Sequence, residues 1–232
     1  MKKTKIDHSI DTEALGFQVR ESYKTARTNI AYSIFKKGCK KVAFTSSTKG
    51  EGKTVTSINV ASALAQQVGT KVIVVECDLR RPRVNTALKI TPTPGLTNYL
   101  NDECSLEDIV KDTKIENLKA ITYGAIPPNP SELLASESMF DLIKTLEKNY
   151  DYIIFDTPPI GVVIDALPIM KASDGVVIIA RNNSTTYPEL SRTVEVIKRT
   201  NAKILGVILN RVKPHETRKG KSYYSRDRKS VV

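Results

Sequence analysis

At 232 residues, with 40% hydrophobic and 26% charged residues, the chain has the makeup of one globular domain with short extensions. No apolar run approaches the roughly 20 residues of a membrane-spanning helix, and the segment from Met1 to Asp7 lacks a signal-peptide core, so a cytoplasmic protein is expected. The net charge of +11 is uneven: residues 1–41 and 211–232 carry +6 each and the stretch between sums to −1, which suits contacts made by the ends and speaks against a nucleic-acid-binding face. Cys39, Cys77 and Cys104 are odd in number and lack metal-ligand spacing, as expected of structural thiols in a reducing compartment. His8 and His215 lie near the ends, and no chemistry is assigned to them.

In chain order, a strand-like run from Lys41 to Phe44 leads into Thr45-Ser46-Ser47-Thr48-Lys49-Gly50-Glu51-Gly52-Lys53-Thr54. A helix-like run from Thr54 to Gln67 follows, with Val55, Ile58, Val60, Ala61, Leu64 and Ala65 at helical spacing. A glycine-rich turn between strand and helix aims backbone N–H groups at one point, where the helix dipole also favours an anion. Lys53 is placed to neutralise β- and γ-phosphate oxygens, and the Thr54 hydroxyl to ligate Mg²⁺. The expectation is a nucleoside triphosphate site, although the general pattern wants glycine where Ser47 stands.

Val72 to Val75 reads as a buried strand ending in Glu76-Cys77-Asp78-Leu79-Arg80. A less regular region, Arg81 to Asn117, holds Thr91-Pro-Thr-Pro-Gly95 and a helix starting near Ser105, which pairs with Asp108 in a loose capping pattern. Next come a strand from Leu118 to Thr122, a loop from Gly124 to Pro130, and a helix capped by Ser131 and running to about Lys148. Tyr152 to Phe155 forms a strand ending in Asp156-Thr157-Pro158-Pro159; a helix near Asp165 to Lys171, a strand from Gly175 to Ala180, a helix from Glu189 to Thr200 and a strand from Ile204 to Leu209 complete the pattern. Strands apolar on both faces predict an α/β fold, a mostly parallel sheet with helices on both sides. Ligands of such sheets bind beyond the carboxyl ends of the strands, where Glu76, Asp78 and Asp156 are placed to hold a metal on bound phosphates. The expected organisation is a basic arm at 1–14, one domain at 15–212 and a flexible basic tail at 213–232, where apolar residues nearly vanish.

These motifs, in this order, resemble the bacterial tyrosine kinases (BY-kinases), specifically the soluble kinase subunit of capsule and exopolysaccharide systems, within the P-loop NTPase class of the MinD/ParA ATPases. The resemblance covers roughly residues 15–212. Ser47 to Thr54 is similar to the family's Walker A loop, Glu76 to Arg80 to its Walker A′ motif and Asp156 to its Walker B aspartate. Glu21, Lys24 and Arg27 resemble its E-x-x-R-x-x-R oligomerisation helix, and Pro130 to Leu134 a further family feature. Three departures stand out: Glu76 where the Walker A′ motif begins with aspartate, Lys24 where the first arginine belongs, and only Tyr223 and Tyr224 in place of a larger tyrosine cluster. Glutamate moves its carboxylate by over ~1 Å, and lysine lacks arginine's bidentate fork.

The resemblance implies Mg²⁺-dependent transfer from ATP, leaving ADP, to tyrosines of the chain's own tail, in trans within a ring-shaped homo-oligomer. Thr48, Lys49, Gly50, Glu51, Gly52, Lys53, Thr54 and Thr56 would bind the nucleotide, with Asn210 at the adenine. Lys53, Glu76, Asp78 and Asp156 would carry the chemistry, and Thr54, Asp78 and Asp156 the metal. Either Glu76 or Asp78 would orient the attacking phenol. Tyr223 and Tyr224 would accept phosphate, and Glu21, Lys24 and Arg27 would join subunits. The implied partners are the cytoplasmic tail of a transmembrane activator (a polysaccharide co-polymerase), which recruits the chain to the inner face of the membrane, and a cognate tyrosine phosphatase. Two other readings stand beside this one: a MinD/ParA-like switching ATPase, disfavoured because Thr48 holds the place of its signature lysine, and a nucleotide-dependent noncatalytic scaffold.

Overall fold

The computed structural model describes residues 16–212; the expected basic arm and the tyrosine-bearing tail lie outside the described residues. In chain order the elements are α1 (Phe17–Ser33), β1 (Lys40–Ser46), α2 (Lys53–Ala65), β2 (Val72–Glu76), α3 (Val84–Leu88), α4 (Leu96–Leu100), α5 (Leu106–Ile109), β3 (Val110–Asp112), β4 (Leu118–Ile121), α6 (Pro130–Leu134), α7 (Glu137–Glu147), β5 (Tyr152–Asp156), α8 (Leu167–Ala172), β6 (Gly175–Arg181), α9 (Tyr187–Lys198) and β7 (Ile204–Asn210).

Successive strand residues point to opposite faces of a sheet, and in the central strands both sets are apolar. Val42, Phe44, Val72, Val74, Tyr152 and Ile154 face one layer, where Ile30, Ile58, Ala61, Leu64 and Leu88 from α1, α2 and α3 meet them. Ala43, Ile73, Val75, Ile153 and Phe155 face the other, against Leu96, Leu134, Met139, Leu142, Leu146, Ile169 and Ile197 from the later helices. Each fully buried side chain of this size stabilises the fold by about 1.5–3 kcal/mol relative to an exposed one. The outcome is the expected α/β architecture, with helices on both faces of a mostly parallel sheet.

The strand order is β3-β4-β2-β5-β1-β6-β7, parallel throughout except that β3 runs antiparallel to β4. The insertion of β5 between β1 and β2 decides where the chemistry lies. Asp156 is in register with Phe44 on one side and with Glu76 on the other, so the chain leaves β1, β5 and β2 at one edge.

Four expectations need correction. The helix expected from Ser131 to Lys148 is two, α6 and α7, broken at Ala135 and Ser136. Asn129 and Pro130 open the first, and Ser136 caps the second by accepting from the Met139 N–H at 3.2 Å. Ser131 caps nothing; its hydroxyl donates to Asp165. The irregular region after Arg81 contains α3, α4 and β3, segments too short to show a period in sequence. Finally, β7 is less buried than its apolar sequence suggests: it is an edge strand paired with β6 alone, and although α1 and α9 reach it, its Val207 and Leu209 stay half exposed.

Candidate active site

The phosphate-loop candidate is the connection between β1 and α2. Gly50 and Gly52 adopt φ +81° and +95°, a left-handed backbone that side-chain-bearing residues resist. A Cβ on Gly50 would meet nothing within 4 Å, while one on Gly52 would fall 2.2 Å from Asn210 Nδ2. Asn210, at the end of β7, donates that amide to the Glu51 carbonyl at 2.9 Å, so the expected adenine residue lies against the loop. Ser47 needs no positive φ; its hydroxyl shares a buried 2.9 Å hydrogen bond with the hydroxyl of Thr193 of α9, which gives the serine in the glycine position a polar partner.

Side chains of the loop divide into two groups. Glu51 is buried and turned inward, accepting from the Thr48 N–H at 3.0 Å and from the Thr185 hydroxyl. Its carboxylate braces the loop and leaves its backbone to face a ligand. Lys49 is exposed, and the Thr56 hydroxyl is buried. Lys53, the first residue of α2, is nearly buried with its Nζ 3.9 Å from Asp78 Oδ2. Thr54 donates its hydroxyl to Asp156 Oδ2 at 2.6 Å, and Ser57, one turn on, reaches Asp156 Oδ1 at 3.4 Å. Ser57, Thr185 and Thr193 are partners that the sequence offers no motif to find.

Behind the loop stand the three expected carboxylates, all buried. Glu76 accepts from the backbone N–H groups of Arg83 and of Val84 (2.7 Å) through Oε1, while its buried Oε2 has no partner. Burial pushes its carboxyl up to about 8, against the Val84 N–H and with help from the Asp156 charge. Asp156 is raised to about 6 by burial, opposed by Lys53 and the Thr54 hydroxyl. Asp78 is raised by burial, again opposed by Lys53, and accepts from the Arg81 N–H at 3.1 Å. Three acids crowded behind one lysine favour a bound cation, which would return each to its ionised form. Among the described residues, however, no group of three His, Cys, Asp or Glu is spaced to hold a metal by itself. A hard cation here would therefore need ligand oxygens besides Thr54 and the acids, as Mg²⁺ has when it sits on phosphates.

Beside this centre, Asp165 accepts from Arg80 Nε and from Arg80 Nη2 (3.2 Å), which ties the loop after β2 to the loop after β5. On α1, Glu21 and Lys24 pair with each other at 2.8 Å in the open, and Arg27 Nη1 donates to the Ala63 carbonyl of α2 at 3.1 Å. The expected acceptors Tyr223 and Tyr224 lie outside the described residues.

Residues 39–207 match the family model described as AAA domain. Tyrosine-protein kinase YwqD of Bacillus subtilis strain 168 is 40% identical over 190 residues, covering 82% of this chain and 80% of that protein. The kinase domain of Escherichia coli tyrosine kinase ETK has a TM-score of 0.83 at 27% identity, covering 97% of this chain and 89% of that one. The fold extends to the septum site-determining protein MinD of Pyrococcus horikoshii complexed with Mg-ADP, at TM-score 0.64 and 25% identity, covering 77% of this chain and 75% of that one.

Proposed function

The chain belongs to the bacterial tyrosine-protein kinases, and from that premise we propose that it is an ATP- and Mg²⁺-dependent autokinase acting on Tyr223 and Tyr224 of its own tail. The observation that carries this reading is the 2.6 Å contact between Thr54 and Asp156 at the root of the glycine-rich loop, with Lys53 turned toward Asp78 beside it. Thr54 and Asp156 would hold a magnesium ion beside the loop, and that ion would supply charge neutralisation to a bound triphosphate.

The N–H groups of the loop and the Lys53 ammonium would hold the triphosphate, and a bound Mg²⁺ would neutralise charge developing on its oxygens. In the transfer, the bond between the γ-phosphorus and the bridging oxygen breaks, leaving ADP, and a bond to the tyrosine oxygen forms. The phenolic proton, from a group with a pKa of about 10, needs a nearby carboxylate. Asp78 is the better placed acid: it faces Lys53 and retains slight exposure, whereas Glu76 is fully buried and engaged with the turn at Arg83 and Val84. Glu76 then shapes that turn, and Asp78 orients the attacking hydroxyl.

On this reading residues 15–212 form the kinase domain and the ends serve contacts. Glu21, Lys24 and Arg27 join subunits into a ring, so that a tail reaches another copy's site. The chain works on the cytoplasmic side of the membrane, recruited by the tail of a transmembrane activator, in control of capsule or exopolysaccharide synthesis, and a phosphatase resets it. No helix among the described residues is long and apolar enough to cross a membrane, which is consistent with recruitment by a partner. The test compares the full chain with Lys53→Met in Mg²⁺ and ATP, with and without an activator-tail peptide, by mass spectrometry of the tail. Phosphate on Tyr223 or Tyr224 in the first protein and its loss in the second is the expected result. Equal labelling of the two would remove the kinase assignment, and ATP binding without any labelling would leave the scaffold reading.

A further inference from the structure

Three large apolar side chains stand open at the carboxyl edge of the sheet without a structural partner to account for them: Ile126, Val162 and Ile164, at 64%, 62% and 66% exposure. Their placement is not scattered. Ile126 belongs to the loop leaving β4, and Val162 and Ile164 to the loop leaving β5; these strands flank β2 on its two sides. One buried carboxylate draws the three loops together, because Asp165, next to Ile164, accepts from Ser131 beyond Ile126 and from half-exposed Arg80 after β2. The loop before Ile126 is fixed as well: Thr97 both donates to the Ala125 carbonyl at 2.9 Å and accepts its N–H at 2.8 Å. Exposed isoleucine and valine on loops tied together in this way set apolar side chains along one rim, where a partner's apolar group can be received.

The surface lies on a particular side of the centre. Asn210 and β7 border the phosphate loop at one end, while Asp78, Arg80 and Asp165 stand at the other, with Lys53 between them. Building on the kinase reading above, we propose that Ile126, Val162, Ile164 and the guanidinium of Arg80 form the docking lip for the tail segment Lys219-Gly-Lys-Ser-Tyr-Tyr-Ser-Arg226. When one tyrosine of the adjacent pair enters toward Asp78, the other lies across the apolar lip and the Arg80 plane. Glu132, bonded to the neutral Asn129 amide at 2.6 Å, adds a negative charge on the same rim that suits Lys219, Lys221 and Arg226. Length permits the contact. Tyr223 lies 13 residues beyond Asn210. That is at most about 43 Å of chain, against about 19 Å for the four strand spacings between β7 and β2, so the segment is long enough to pass the edge of its own sheet toward the lip of another copy.

The experiment uses the full chain in a Tyr223→Phe/Tyr224→Phe background, with and without Ile126→Ser plus Ile164→Ser. The probe is a fluorescent peptide of the Lys219–Arg226 sequence. Its binding is read by anisotropy with Mg²⁺ and a non-hydrolysable ATP analogue, its labelling with Mg²⁺ and ATP, and the oligomeric state by sedimentation. Peptide binding is expected to weaken roughly tenfold, about what two half-exposed side chains losing a buried contact supply. ATP affinity and sedimentation stay unchanged. Equal peptide binding by the two proteins, or no binding by either, overturns the lip. Changed sedimentation with unchanged peptide binding also overturns it, by assigning the surface to contacts between folded domains. Lost binding of an activator-tail peptide in place of this one assigns it to the activator. Binding that depends on the lip but is followed by no phosphate transfer leaves the lip standing and removes the kinase reading.

Discussion

Replacing Glu76 by glutamine tests the electrostatics of the site without touching the phosphate loop. Glu76 is fully buried, and its carboxyl is raised from the ordinary 4.5 to about 8 chiefly by burial. An acid whose pKa is higher in the folded state than in the unfolded one binds protons more tightly when folded. Its contribution is therefore complete below about pH 4.5 and is lost as the pH climbs toward about 8. At neutral pH some two and a half units of this shift have been traversed, which at 1.36 kcal/mol per unit makes the loss about 3 kcal/mol. Glutamine imitates the protonated acid: its carbonyl accepts the N–H groups of Arg83 and Val84 as Oε1 does, and it has no charge to desolvate. Urea unfolding of the nucleotide-free protein at several values from about pH 5 to about pH 8 should show wild type losing stability relative to Glu76→Gln as the pH rises, with the two near parity at the acid end. Asp156, raised to about 6, adds a slope at lower pH to both proteins, so the comparison is read above about pH 6, where Asp156 is ionised in both. Parallel curves for the two proteins would refute the claim that Glu76 is held protonated at neutral pH.

Two further outcomes follow from contacts around the loop. Thr193→Val strips the buried Ser47 hydroxyl of its partner, and a destabilisation of about 1–3 kcal/mol is expected in denaturant unfolding, largely relieved when Ser47→Gly is added; additive losses would show that the pair is not coupled. Arg27→Ala removes a guanidinium from the last turn of α2, where Ala63 otherwise lacks an in-helix donor, and should lower the midpoint of thermal unfolding by a few degrees, about 1–2 kcal/mol, in dilute protein. A loss confined to the assembled state, seen only at high concentration, would make Arg27 a residue of subunit contact alone.

What could be read from the residues was periodic or punctuated. Continuous apolar runs and 3.6-residue spacing marked the central strands and α2, and the glycines at 50 and 52 announced a turn that aims N–H groups at an anion, because both demand a backbone other residues avoid. Short elements such as α3, α4 and β3 carry too few residues to display a period, and the break at Ser136 is a local capping contact inside an unbroken apolar pattern. Sequence could place acids after strands but could not tell them apart. Only the insertion of β5 between β1 and β2 brings Asp156 under Thr54 and beside Glu76, and only burial raises the Glu76 carboxyl while Asp78 looks toward Lys53. The same holds for Glu51, a loop residue whose carboxylate turns inward to Thr48 and Thr185, and for Ser47, admitted to a glycine position because Thr193 waits 146 residues away. Local order is set by near neighbours along the chain, and those are written in sequence. Which distant side chains meet, and how dry the meeting place is, depends on packing that exists only once the sheet has closed its layers.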